Sequence, residues 1–166
     1  MDEKQEKLST LIKIIKEGAA RAKLEDPEYN IGIAINKMNL VMKVRLGGIA
    51  ESFLDDIDRG KNIYGDDIGC LFIYVLCITE AHGVCIDKVI SPLRKGICEI
   101  HSDANISVLD VFNEMAKSIT DYDSIHAHDD FEITAWASSA IVSLMAFASK
   151  LGFTLIDCVE LPDDEE

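Results

Sequence analysis

The stretch Asp66-Asp67-Ile68-Gly69-Cys70-Leu71-Phe72-Ile73-Tyr74-Val75-Leu76-Cys77-Ile78-Thr79-Glu80-Ala81-His82-Gly83 decides the fold. Every residue from Cys70 to Ile78 is apolar, so the segment reads as a helix buried on nearly all sides. Its two leading carboxylates suit a helix start, where negative charge meets unpaired backbone N–H groups. Gly83 suits its end, because a residue without a Cβ enters the left-handed cap at little cost. A helix this apolar needs other helices to cover it, and the flanking sequence supplies them.

Toward the N-terminus, residues 33–57 carry Met38, Met42, Leu46, Ile49, Phe53 and Ile57 at steps of four or three, the spacing of one helix face. A second line, Leu40 and Val44, lies on the opposite side. At about 100° per residue it continues into Gly47, Gly48, Glu51 and Asp55, and both sides of this helix are expected to be covered. Residues 3–24 form an amphipathic helix with Leu8, Leu11, Ile12, Ile15, Ala19 and Ala22 on one face. Pro27 and its turn-forming neighbours separate the two helices.

Toward the C-terminus, residues 87–93 read as a short helix, followed by a connection with Pro92 and Gly96 that runs through His101. Residues 108–119 read as a helix, 121–130 as a polar loop, and 131–151 as a buried helix capped by Gly152. Gly83 and Gly152 each follow a long apolar helix, and the strings Val84-Cys85-Ile86-Asp87 and Phe153-Thr154-Leu155-Ile156-Asp157 follow them. The spacing suggests a duplicated helix-loop-helix unit; the alternative is that any two packed helical hairpins share such a pattern. The expected fold is all-α, a single bundle of five to seven helices over residues 1–160, with an acidic tail at 161–166.

Thirty acidic against sixteen basic residues leave a net charge of -14, which repels nucleic acid and anionic lipid surfaces unless a basic cluster intervenes. No such cluster exists, so neither is an expected partner. Residues 133–149 are uncharged but fall short of the roughly 20 apolar residues of a membrane span, and read as a central bundle helix. Cys70, Cys77, Cys85, Cys98 and Cys158 form no CxxC pair. They are expected to be ordinary buried thiols of a reducing cytoplasm. The N-terminus lacks the apolar run of a signal peptide, which again points to the cytoplasm.

Four carboxylates carry the functional reading. Glu51 and Asp55 lie four apart on one helix, and Asp66 and Asp67 open the next across a short loop. Clustered oxygens of this kind suit Mg²⁺, which bridges carboxylates to phosphates; the alternative is a solvated acidic hairpin end. The segment Leu46-Gly47-Gly48-Ile49-Ala50-Glu51-Ser52-Phe53, the loop Asp56-Ile57-Asp58-Arg59-Gly60 and the helix from Asp67 to its exit at Asp87 resemble the central helix pair of the MazG-like NTP pyrophosphohydrolases. That family carries EExxE on one helix and ExxD on the next. The resemblance spans about 45 residues. Gly47 and Gly48 stand where the first two Glu are expected, and Cys70 where the final Asp is, so three of five ligands are absent. In the second half Trp136 and Ser139 take the places of Asp67 and Cys70.

The resemblance implies a nucleotide-binding protein with weak, altered or lost nucleoside triphosphate pyrophosphohydrolase activity. Glu51, Asp55, Asp66 and Asp67 would hold Mg²⁺ or Mn²⁺, and Lys37 and Arg59 would meet phosphate. The other reading is a catalytically inactive acidic helical protein that binds a protein partner, and homo-oligomerisation is compatible with both. His126-Ala127-His128-Asp129-Asp130 has donors for a transition metal, but alternating His in a polar loop are more often solvated. Ser138, Ser139 and Ser143 have no recognisable His/Asp partner for nucleophilic catalysis.

Overall fold

Asp2 accepts a hydrogen bond from the Lys4 amide at 3.3 Å and starts α1 (Glu3–Glu25), whose first turn carries Glu3 and Glu6. Asn30 does the same for α2 (Ile31–Asp55), accepting from the Ile33 amide at 3.1 Å. The buried segment is α3 (Gly65–Ala81). Two one-turn helices, α4 (Ile86–Val89) and α5 (Ser91–Arg94), stand where one short helix is expected. Ser107 caps α6 (Val108–Thr120) and Asp129 caps α7 (Asp130–Lys150), accepting from Asp110 and Glu132 amides at 3.1 and 2.8 Å. Single 3₁₀ turns cover Asp121–Ser124 and Ile156–Cys158. This computed structural model describes residues 2–55, 65–94 and 105–163, and no strand occurs among them.

Four long helices close a ring. α2 packs on α3, α3 on α7, α7 on α6 and α6 on α2, while α1 lies against α3. The order follows from apolarity: Leu71, Phe72, Val75, Leu76 and Ile78 of α3, and Ile133, Ala137, Ala140, Ile141 and Leu144 of α7, are completely buried. Helices apolar on every side take the middle, as the unbroken run from Cys70 to Ile78 predicts. The one fully buried polar side chain among the described residues, Thr79, donates to the Val75 carbonyl at 2.8 Å. The α7 helix is long and apolar enough to cross a membrane, and half of that stretch is buried in this bundle.

The two hairpins end alike. Gly83 (φ 75°) and Gly152 (φ 88°) are both left-handed. Val84 N–H donates to the Thr79 carbonyl at 3.2 Å, and Phe153 N–H to the Ala148 carbonyl at 2.8 Å. This is the same cap at the same spacing, one that many helices adopt.

Two expectations about coverage fail. Met42, Leu46, Ile49 and Phe53 of α2 are buried as expected, but the second apolar line is bare, with Leu40 60% and Val44 73% exposed. α3 and α6 pack on one side of α2, and Asp67 of α3 and Asp123 of the 3₁₀ turn reach only the edges of the other, at Arg45 and at Asn39 and Lys43. In α1, Leu8, Leu11, Ile12 and Ile15 are buried, whereas Ala19 and Ala22 line an open cleft. The thiols also divide: Cys158 is buried, Cys70 and Cys77 are half-buried, and Cys85 is exposed. Ile57 and Cys98 lie outside the described residues.

Candidate functional site

The first turn of α3 sends its two carboxylates to different places. Asp67 points to α2, where its Oδ1 lies 3.2 Å from Arg45 Nη1. Asp66 is exposed and borders a separate concavity of about 580 Å³ with Phe153, Asp157, Cys158 and Glu160. Glu51 is exposed on α2 and makes no ion pair among the described residues. Asp55 ends α2, but its side chain, like all of Arg59, lies outside the described residues. Lys37 is exposed on the outer side of α2. Among the described residues no group of three His, Cys, Asp or Glu side chains is placed to hold a metal ion.

Arg45 changes the chemistry expected here. Its guanidinium stands where a cation beside Asp67 would stand. Cys70 is also close, and the Cys70 and Asp67 charges raise the Arg45 pKa. Burial raises the Cys70 thiol, with Arg45 opposing it. Among the described residues Asp66 and Asp67 are therefore not brought to one point: Asp67 is paired with a guanidinium and Asp66 faces a different concavity. Asp67, Arg45 and Gly48 do line one hollow of about 420 Å³ with Leu40, Val41 and Val44.

His126 and His128 are both exposed, as solvated loop histidines are expected to be. His128, at φ 48°, stacks on Tyr122 with ring centroids 5.5 Å apart and planes 10° from parallel. His82, from the end of α3, shares a 2.8 Å hydrogen bond with the Tyr122 hydroxyl and lies 5.3 Å from the His128 ring. Burial, and then the charge of His128, lowers the His82 pKa. Trp136 closes the group, 5.0 Å from Tyr122 and donating to the Ile119 carbonyl at 3.0 Å. The result is an aromatic joint between the two hairpins. Nothing local in the sequence ties His82 to Tyr122, because forty residues separate them.

Two apolar surfaces remain open. One is a cleft of about 460 Å³ between α1 and α2, floored by Ile73, Cys77 and Ala81 of α3. The other is the outer face of α2. Of the six large apolar side chains more than half exposed among the described residues, Ile33 (54%), Leu40, Val44 and Leu54 (81%) all belong to this helix. Isolated exposed apolar residues are ordinary, but a row on one helix face is not. Gly47 and Gly48 sit within the row, and a Cβ at either would meet nothing within 4 Å. Each costs the helix about 1 kcal/mol relative to Ala, with no packing among the described residues to require it.

Comparison with known proteins leaves the chain without an assigned relative: no family model, no curated protein and no solved structure matches it.

Proposed function

We propose that this chain is a helical binding protein that takes a protein partner on the outer face of α2. The observation that carries the reading is the row Ile33, Leu40, Val44 and Leu54, exposed together on a helix whose other side is buried. Such a row presents side chains at helix-in-groove spacing. The substitutions Leu40→Gln, Val44→Gln and Leu54→Gln together should leave the melting temperature within a few degrees of wild type, because these side chains are more than half exposed. They should abolish co-purification of the partner from native extracts. A variant that still holds the same partner in full would overturn this reading.

A second reading is binding of a nucleotide or similar phosphate compound, and one observation favours it. Gly48, Asp67 and Arg45 line one hollow, and the first two occupy motif positions of the MazG-like resemblance. In that hollow Arg45 is the group suited to phosphate. A ligand at about 100 times its dissociation constant adds about 2.7 kcal/mol to stability. Thermal unfolding with each common nucleoside triphosphate, with and without Mg²⁺ or Mn²⁺, therefore tests it, with Arg45→Gln and Asp67→Asn as controls. No shift with any of them would remove this reading.

A further inference from the structure

Resting on the partner-binding reading of α2, we propose that the partner is a second copy of this chain, with the two α2 helices packed antiparallel about a two-fold axis at Val44. Starting at Ile33, the outer face recurs at alternating steps of four and three: Lys37, Leu40, Val44, Gly47, Glu51 and Leu54. That alternation is the seam of a coiled coil, in which each apolar side chain enters a hole on the facing helix. The seam covers residues 33–54 of α2, about 32 Å at 1.5 Å per residue. α3 and α6 pack on the other side of the helix, and among the described residues Ile33, Leu40, Val44 and Leu54 of the seam are exposed.

The polar members of the seam fix its direction. Lys37 and Glu51 each lie seven residues from Val44, one on either side. In an antiparallel pair centred there, Lys37 faces Glu51 of the second copy, and the symmetry repeats the pair on the other side of the axis. A parallel pair would instead set Lys37 against Lys37 and Glu51 against Glu51. Neither side chain has an ion pair among the described residues of its own chain. The same register brings Leu40 over Gly47 and Gly48 of the second copy. The missing Cβ atoms, which no contact among the described residues requires, then allow close approach of the two helices. With a net charge of -14 per chain, two copies repel at long range, and a seam that balances its own charges suits such a pair.

The test is the mass of the full chain in solution, read by sedimentation equilibrium. Wild type should be a dimer, and Val44→Asp a monomer with an unchanged circular dichroism spectrum. Lys37→Glu and Glu51→Lys should each weaken dimerisation roughly tenfold, since two attractive pairs become repulsive. The double variant Lys37→Glu/Glu51→Lys should restore it, as should mixing the two single variants. In a parallel seam like charges already face each other, so single variants that dimerise like wild type would overturn the proposal. A wild-type chain that stays monomeric at millimolar concentration would also overturn it. In that case loss of an extract partner on the triple Gln substitution would preserve the broader partner reading, and retention of that partner would remove both.

Discussion

The backbone of Cys158 lies directly on the Cα of Gly69: a Cβ added to Gly69 would run into the Cys158 carbonyl, with its carbon 2.6 Å away and the Val159 nitrogen at 3.1 Å. Gly69 sits in the first half of α3, so the missing side chain lets the C-terminal segment cross the central helix at contact distance. Cys158 and Val159 are buried there. Gly69→Ala should therefore cost about 3 kcal/mol, because the obstacle is backbone and not the tip of a flexible side chain. Gly18→Ala, in the exposed interior of α1 with nothing within 4 Å of the new Cβ, should gain about 1 kcal/mol. Urea unfolding of both variants checks the pair. Equal effects would mean that the crossing at Cys158 is not a feature of the folded chain.

Thiol reactivity should follow burial. Burial pushes Cys77 and Cys158 up to about 11, so at neutral pH only about one in 10⁴ of either is thiolate. Cys85 is exposed. Labelling with a disulfide reagent, followed by peptide mass spectrometry, should modify Cys85 first and reach Cys77 and Cys158 only at the rate of unfolding or local opening.

The aromatic joint makes stability depend on pH near neutrality. His82 is held below its ordinary value of 6.5, chiefly by burial and then by His128, so the unfolded chain binds this proton more readily. The His82 contribution is complete above the unfolded value and is lost as pH falls below it toward the folded value. Melting temperature should therefore fall between about pH 7 and 5, and His82→Gln should flatten that fall. A wild-type profile identical to that of the variant would show that His82 does not sense the joint.

Phe112 joins two helices to a third. Its ring lies 5.3 Å from Phe53 of α2 and 5.8 Å from Phe147 of α7. Phe112→Ala should cost about 3–5 kcal/mol, the range for removing a buried aromatic ring. Phe112→Leu should cost less. Denaturant midpoints give both values, and a loss below 1 kcal/mol for Ala would mean that the ring of helices does not depend on this contact.

Acid should also act on the α2 contact with the 3₁₀ turn at Asp121–Ser124. Asp123 accepts from Lys43 at 2.7 Å and from Asn39 at 2.8 Å. Those hydrogen bonds, that of Lys43 first, lower its pKa. Its contribution is present above the unfolded carboxylate range and is lost as pH falls through the folded value. Both partners are about half exposed, so Lys43→Met should cost under about 1 kcal/mol at neutral pH.

Helix positions were legible in the sequence because their causes are local. The glycine caps at Gly83 and Gly152, the carboxylates that open α3 and the unbroken run from Cys70 to Ile78 each act within a few residues. The stripe Met42, Leu46, Ile49 and Phe53 likewise identified the inner face of α2. The site was less legible. Glu51 and Asp67 have suitable spacing for a shared cation, but only the packing of α2 on α3 brings Arg45 against Asp67. That packing also sends Asp66 to another concavity.

By itself, the sequence determined that this chain is a helical bundle with α3 and α7 at its centre, since helices apolar on all sides have nowhere else to go. Only the tertiary structure decided which of the two apolar sides of α2 is used. Periodicity marks a face as able to be buried, whereas covering it requires another surface at that place. Among the described residues α3 and α6 cover one side, while Leu40 and Val44 on the other stay exposed.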